Sequence, residues 1–557
     1  MLKTQKPAEL EYAASPDQSA AAPAHHPVII AGAGPVGLAA AIDLAVRGVR
    51  SVVLDQDRQV SAGSRAVSYA KRTLEILDRL GCGDAIVRRG VSWSHGRVYL
   101  RDRQIYGFNL AAEEDHRRPP FVNLQQYHLE ETLIARAREM KLVDLRWQHR
   151  VAGVEAADDR VTLTVETPDG PYAVSCEWLV AADGARSTVR EALAIPLETS
   201  AAADRFLTAD VVMKAEFPSE RWFWFDPPFH PNRSVLLHRE ADDVWRIEFQ
   251  LGPDADADEE RKPDSVAARV KAMLGDEREF EIASVDVYAF ACGRMASFRH
   301  GRVLFAGDAA HQVAPFGARG ANSGIQDADN LGWKLALVLA GRAPERLMDS
   351  YSEERVFAAD EDIRASTRAL EFITPGGAVS RTFRDATLQL AEQYAFAQRM
   401  VNSGRLSVPA VLASSSLSTP DSDPFHGDMV PGAPASDAPV AAEKGSSWLL
   451  EHLGNGFTGL YFAHRSTSPE ESEALRRLAA DPIPVRVIVI ARPAEALPAV
   501  PDTCLVVEDR TENLTKRYDG RPGTFYLIRP DQHVAARWRA LAVPLVREAV
   551  AVATCNE

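Results

Sequence analysis

Val28-Ile29-Ile30-Ala31-Gly32-Ala33-Gly34-Pro35-Val36-Gly37-Leu38 is the stretch on which the fold turns. Its first four residues form an all-apolar run of the kind a buried parallel strand needs. Leu38, Ile42, Ala45 and Val46 then recur at helical spacing, with Pro35 near the first turn, where its missing N–H costs nothing. Ser51-Val52-Val53-Leu54 is a second apolar strand, ending in Asp55. A βαβ unit follows from this pattern. Between its first strand and helix lie Gly32, Gly34 and Gly37. They permit respectively a tight turn, the close approach of a pyrophosphate and close helix packing, while the helix N-terminus around Pro35 and Val36 presents unpaired N–H groups and partial positive charge to the phosphates. Asp55 stands where a carboxylate accepts from a ribose diol, and its charge opposes a 2′-phosphate. An adenine dinucleotide site is predicted, without deciding between FAD and NAD.

Outward from this unit, residues 145–182 switch to short alternating segments, and Leu179-Val180-Ala181-Ala182 reads as another buried strand leading into Asp183-Gly184. Residues 205–290 alternate again, as in Arg221-Trp222-Phe223-Trp224-Phe225. Arg302-Val303-Leu304-Phe305-Ala306 returns to the buried type and leads into Gly307-Asp308. The expected organisation is a mobile tail over 1–26 and a Rossmann-like α/β domain over 27–400. Substrate-binding sheet segments, about 90–125 and 200–292, interrupt that domain. A Pro/Ser/Ala-rich linker or covering loop over 401–446 and a small α/β domain over 447–557 complete the chain.

With 557 residues, 63 Lys plus Arg and 78 Asp plus Glu, the chain carries a formal charge of −15, which disfavours nucleic acid as a partner. No run approaches the ~18–20 apolar residues of a membrane span. The N-terminus lacks the apolar core of a secretory signal, so the cytoplasm is the expected location. Five scattered cysteines form no CxxC or zinc-like spacing, and neither a disulfide framework nor a metal is expected.

Two later segments separate FAD from NAD. Ala182-Asp183-Gly184-Ala185-Arg186-Ser187 and Gly307-Asp308-Ala309-Ala310-His311 each put a carboxylate at a strand's C-terminal end. Together with the first motif, and in this order, they resemble the class A FAD-dependent aromatic hydroxylases, the para-hydroxybenzoate hydroxylase fold. The run through Pro315, Gly317, Gly320, Asn322-Ser323-Gly324, Asp327-Ala328 and Trp333-Lys334-Leu335 is similar to that family's second FAD segment. The resemblance implies FAD as cofactor, with Asp183 and Asp308 among its contacts, Asp308 near the ribityl and pyrophosphate. Pro315, Gly320, Ala321 and Asn322 would lie along the isoalloxazine. Ile325, Ala328, Leu331, Leu335 and Val338 independently describe a helix whose positive N-terminus would face the flavin. Arg65, in Gly63-Ser64-Arg65-Ala66, and Gln126, in Gln126-x-x-Leu129-Glu130, resemble two further FAD contacts. The segment Tyr526 to Trp538 resembles the end of the thioredoxin-like domain of the phenol hydroxylase and 3-(3-hydroxyphenyl)propionate hydroxylase branch. Lacking CxxC, that domain is expected to serve packing or oligomerisation, a homodimer included, and not thiol exchange.

The resemblance further implies that NADH or NADPH reduces the flavin and that dioxygen is delivered to an electron-rich ring through a flavin 4a-hydroperoxide. No second GxGxxG supplies a nicotinamide domain. Phe223, Phe225 and Pro315 are expected to line an aromatic substrate pocket. The polar catalytic group departs from the family pattern, because Val67 stands where phenol hydroxylase relatives place Asp or His. Tyr69 and His238 are the candidate replacements. An oxidase or halogenase on the same scaffold, or a flavin-bound redox sensor or assembly protein, are the alternatives.

Overall fold

The structure is a computed structural model describing residues 9–61, 66–110, 114–214, 217–275, 278–403, 406–442, 445–464, 468–492 and 500–557, with backbone alone at 200–204. Val303–Phe305, Tyr172–Ala181, Ala24–Ala31, Ser51–Asp55 and Val143–Trp147 lie side by side and parallel. Ala31 pairs with Leu54 and Ala181, and Ala181 with Phe305, so the chain leaves four strands at one edge of this sheet. Helices Pro35–Val46 and Gly320–Leu339 share its core through Leu38, Ile42, Ile325, Ala328 and Leu331. Strand residues Val28, Ile29 and Ile30 are wholly buried, as a sheet covered on both faces requires.

A second, eight-stranded sheet runs in the order His311–Gln312, Glu281–Arg294, Glu198–Val212, Val244–Gln250, Ser234–Arg239, Arg221–Phe225, His95–Leu100 and Arg103–Asn109. Alternate residues divide its two faces. Leu207, Val235, Leu237, Ile247 and Phe249 pack with Val266 and Val270 of helix Pro263–Leu274. The opposite face carries Phe206, Phe223, Phe225 and Leu236, which cluster with Phe316 and with helices Leu347–Ile373, Ala378–Ala391 and Ala395–Asn402. Val91–Trp93 and Phe121–Asn123, expected in this sheet, instead form a small separate one in which Phe121–Asn123 pairs with Val91–Trp93 on one side and Ser68–Ala70 on the other. Three-residue strands are too short to announce their partner.

Two further expectations need correction. The N-terminal segment is built into the fold from Glu9: Leu10 is buried, a 3₁₀ turn spans Pro16–Ser19, and Asp17 pairs with Arg146 and His26. Apolar content alone missed it because polar contacts anchor it. For 401–446, linker is the reading to correct, and covering loop is the one its packing fits. Leu417 is buried, Thr419 N–H donates to Ala535 O, Asp421 pairs with Arg537, and Pro439–Ala442 is already a strand of the C-terminal sheet. That seven-stranded sheet centres on Phe457–Phe462, parallel to Val485–Ala491 and antiparallel to Phe525–Ile528.

The turn Arg529–Gln532 docks this domain onto the first. Arg529 binds Glu354 through both terminal nitrogens, at 2.5 and 2.9 Å, and also Asp531; Lys334 adds a 2.7 Å bond to Glu354. Arg72 reaches Gln532 Oε1, the Asp531 carbonyl and Asp329. Arg529, Asp531 and Lys334 are fully buried.

Candidate active site

Chain exits at this edge of the first sheet build one cleft, lined by Gly32, Gly34, Asp55, Asp57, His149, Arg150, Asp183, Gly184 and Arg186 among others. Gly32 adopts φ +99°, and a Cβ there would stand 2.4 Å from Ala182 O; one at Gly37 would stand 2.0 Å from Gly32 O. Gly34 faces open space and precedes the helix with no side-chain cap, so N–H groups of the first turn remain for an anion. Asp55 accepts from Ala33 N–H at 2.5 Å and Asp57 N–H at 2.8 Å, bracing the glycine turn while keeping lone pairs for a diol. Burial pushes its carboxyl up to about 6 against these two bonds. Asp183 accepts from Val189 N–H at 3.0 Å through Oδ2, while its buried Oδ1 has no partner. Burial raises its pKa, in part offset by Ser187 and Val189. Paired acceptors, an open glycine and a free helix end fit the adenosine diphosphate half of FAD.

His149 and Arg150 were not anticipated from sequence. They follow strand Val143–Trp147, at the same ligand-bearing edge as Asp55. The signal was legible in principle but required knowing that this strand pairs with Ser51–Asp55.

Gly307 abuts the same glycine turn, since a Cβ there would touch Val36 at 3.0 Å and one at Gly324 would meet Val36 at 2.6 Å. The exposed Asp308 is carried on this turn, beside Gly320. Buried Asp327 holds the turn from helix Gly320–Leu339, accepting from Gly307 N–H at 2.9 Å, His311 Nε2 at 2.7 Å and Arg355 at 2.6 Å. Burial opposes its charge, but His311 and Arg355 hold its pKa down to about 2. His311 is thereby a brace of the motif.

Pro315 opens a tight turn closed by Ala318 N–H to Pro315 O at 2.9 Å, with Gly317 and Ala318 both left-handed. Asn322, expected against the cofactor, uses its side chain otherwise: Oδ1 accepts from Ala70 N–H at 2.8 Å, and Nδ2 donates to Ser68 O at 2.8 Å and to Ala318 O. It clamps the Pro315 turn, and with it Gly320 and Ala321, to strand Ser68–Ala70. Gln126 is likewise a brace, receiving Ala66 N–H and donating to Ser61 and Glu130. Arg65 lies outside the described residues. Tyr69 is buried, and its hydroxyl donates to Ala66 O at 3.2 Å. Burial, then the charges of Glu130 and Glu240, keep it protonated well beyond the ordinary phenol range.

His238 lies on the face of the second sheet that also bears Phe223, Leu236 and Phe225. Phe225 packs edge-on against Phe372. His238 pairs across the strands with Arg246, and Arg246 with Asp210. Burial, then Arg221 and Arg246, hold its pKa well below the usual histidine value. This strand's end is tied to the first domain by Asn123 to Arg239 O at 2.8 Å and Gln125 to Ala241 O at 2.9 Å.

Residues 25–366 match the FAD binding domain family and residues 436–553 the HcaD C-terminal domain family. Over 91% of its length the chain is 27% identical to a 3-(3-hydroxy-phenyl)propionate/3-hydroxycinnamic acid hydroxylase of Mycolicibacterium smegmatis, covering 90% of that protein. Over 59% of its length it is 30% identical to para-nitrophenol 4-monooxygenase of Pseudomonas sp. strain WBC-3, covering 82% of it. The crystal structure of the flavin-dependent monooxygenase PieE in complex with FAD and substrate shares the fold, with a TM-score of 0.78 at 22% identity over 96% of this chain and 99% of that one. These relatives favour the hydroxylase reading over oxidase, halogenase or sensor. The chain belongs to the FAD binding domain family, as an FAD-dependent aromatic monooxygenase with an HcaD-type C-terminal domain.

Proposed function

We propose that this monooxygenase hydroxylates a phenolic or related aromatic compound with NADH or NADPH and dioxygen, between the Pro315 turn and the Phe223 face of the second sheet. The observation carrying this reading is a tie made through the small sheet: Asn322 clamps the Pro315 turn to Ser68–Ala70, and Asn123 of the strand paired with it, with Gln125 just beyond, binds the end of strand Ser234–Arg239. Bound FAD supplies the two-electron redox chemistry and oxygen activation that no side chain can. This chain's residues hold and shield it. Gly32, Gly34, Pro35, Val36, Gly37, Asp55 and Asp183 receive its nucleotide half, Asp308 its ribityl region, and Pro315, Gly320, Ala321 and the backbone of Asn322 the ring end; Gln126 would act through the loop it braces, and Arg65 is kept as a sequence-based contact. Phe223, Phe225 and Pro315 orient an aromatic substrate and exclude water.

Of the two catalytic candidates, His238 is better supported than Tyr69, because the Tyr69 hydroxyl is committed to Ala66 O. A homodimer belongs to the same proposal, supported by the exposed Val379, Phe383, Tyr394, Phe396 and Met400 and tested by light scattering. Cytoplasmic location is likewise proposed; no helix among the described residues is long and apolar enough to cross a membrane.

The test is a panel of phenols, resorcinols and phenylpropanoids assayed for stimulated NADH or NADPH consumption, with product mass measured. A product one oxygen heavier than its substrate is expected. Consumption indifferent to every aromatic would overturn the reading.

A further inference from the structure

The face of the second sheet that bears Phe223 and Leu236 also carries a row of charged and polar groups whose hydrogen-bonding capacity is unmet. Antiparallel register sets Arg246 between His238 and Asp210 on adjacent strands. Arg246 gives Asp210 two bonds, at 2.7 and 2.8 Å. Its Nε also lies 3.2 Å from Glu240 Oε1, yet neither Glu240 oxygen accepts a hydrogen bond. Glu240 is fully buried. Both ring nitrogens of His238, Nε of Arg221 and Oε2 of Glu248 are buried without partners as well. Leaving so many polar atoms unsatisfied in one place costs a protein heavily unless a ligand completes them.

We propose that Glu240 is the base that takes the phenolic proton of the substrate, and that His238 and Arg221 hold a second polar group on the same molecule. This rests on the hydroxylase reading above, and within it moves the proton transfer from His238 to Glu240 and leaves His238 a substrate-binding role. In the step, the substrate O–H bond breaks, its electron pair stays on the phenolate oxygen, and the proton goes to a Glu240 carboxylate oxygen. The negative charge gained by the ring oxygen feeds electron density into the ring that is to be oxygenated. The substrate class is a phenol carrying a further acceptor, such as a carbonyl or carboxylate, for Arg221.

The surroundings suit that role. Arg246, Asp210, Glu248 and His238 face Glu240 from the sheet, and Tyr69 and Tyr127 feel its charge from the first domain. Burial, against the pull of Arg246, lifts the Glu240 carboxyl to about 8. That brings it within reach of a phenol near 10, where an ordinary glutamate at about 4.3 would be a poor proton acceptor.

The test compares a phenol that the panel identifies with its methyl ether, on the flavin-loaded enzyme, by calorimetric binding and by hydroxylation from pH 6 to 9.5. Wild type should bind the phenol at least tenfold tighter than the ether and show a rate limb rising through about pH 8. In Glu240→Gln the rate should fall ten- to a hundredfold, with the limb abolished and the phenol preference lost. His238→Asn should raise KM more than it lowers kcat. Flavin absorbance and melting temperature report folding of each variant. Equal handling of phenol and ether by wild type overturns the proposal without any variant, as does a Glu240→Gln enzyme that keeps the rate and the limb. If no aromatic stimulates wild type, the hydroxylase reading itself has failed.

Discussion

Two buried charge clusters in this molecule have similar composition and opposite character. At the domain junction, Arg529, Asp531, Glu354 and Lys334 saturate one another: both Glu354 oxygens accept from Arg529, and Lys334 and Asn330 complete the shell. On the sheet face, Arg221, His238 and Glu240 are buried and Glu248 is half-buried, and the group leaves both Glu240 oxygens and both His238 nitrogens without hydrogen bonds. Charge content does not distinguish a structural knot from a binding site; hydrogen-bond saturation does. A closed network stabilises a docked domain, and an open one is completed by something that arrives.

The largest effect expected from this contrast is truncation before Gly459. Removing Arg529 and Asp531 would take the bidentate guanidinium from Glu354, leaving it with Lys334, and would leave Arg72 with Asp329 alone among these partners, so insoluble or flavin-free protein is expected, read by flavin absorbance of the soluble fraction. Soluble, yellow truncated protein would mean the knot contributes little. Next is Glu354→Gln, which breaks the closed cluster and should cost about 3–5 kcal/mol in denaturant unfolding. Asp308→Ala, outside both clusters, should purify largely without flavin; full occupancy would remove that carboxylate from the site.

The smallest and sharpest effect is on pH dependence. Arg529 and Lys334 outweigh burial and hold the Glu354 pKa well below its ordinary value, so its contribution is present above the unfolded value of about 4.5 and lost as pH falls below it. Glu240 has the opposite sign. Its folded pKa, raised to about 8, gives stability fully present below about 4.5 and lost as pH rises through 8. Melting curves of Glu240→Gln should therefore gain on wild type between pH 5 and 8, whereas Glu354→Gln should lose least at acid pH. Parallel pH profiles for the two variants would erase the distinction between the clusters.

Much of the nucleotide cleft was legible because its demands are local. Gly32 must tolerate φ +99° and a neighbouring carbonyl, and Asp55 must end a strand next to it. Gln126 and Asn322 were found as motif residues, but their work as loop braces was not, because the partners, Ala66, Ser68 and Ala70, are distant or featureless in sequence. Glu240 was missed altogether. It lies two residues beyond His238, at a strand end among many acidic residues, and nothing in its neighbourhood announces complete burial.

From the amino-acid order alone come the strand–glycine–helix units, the interruption of the nucleotide fold by sheet, and the three carboxylate turns, because each depends on backbone conformation and apolar periodicity over a dozen residues. Only tertiary structure decided that the N-terminal segment is anchored by Asp17 to Arg146, that Arg529 is closed by Glu354 from 175 residues away, and that His238 and Glu240 are left open beside Arg246. Desolvation and hydrogen-bond saturation are properties of the whole packed surface, and no local window of sequence contains them.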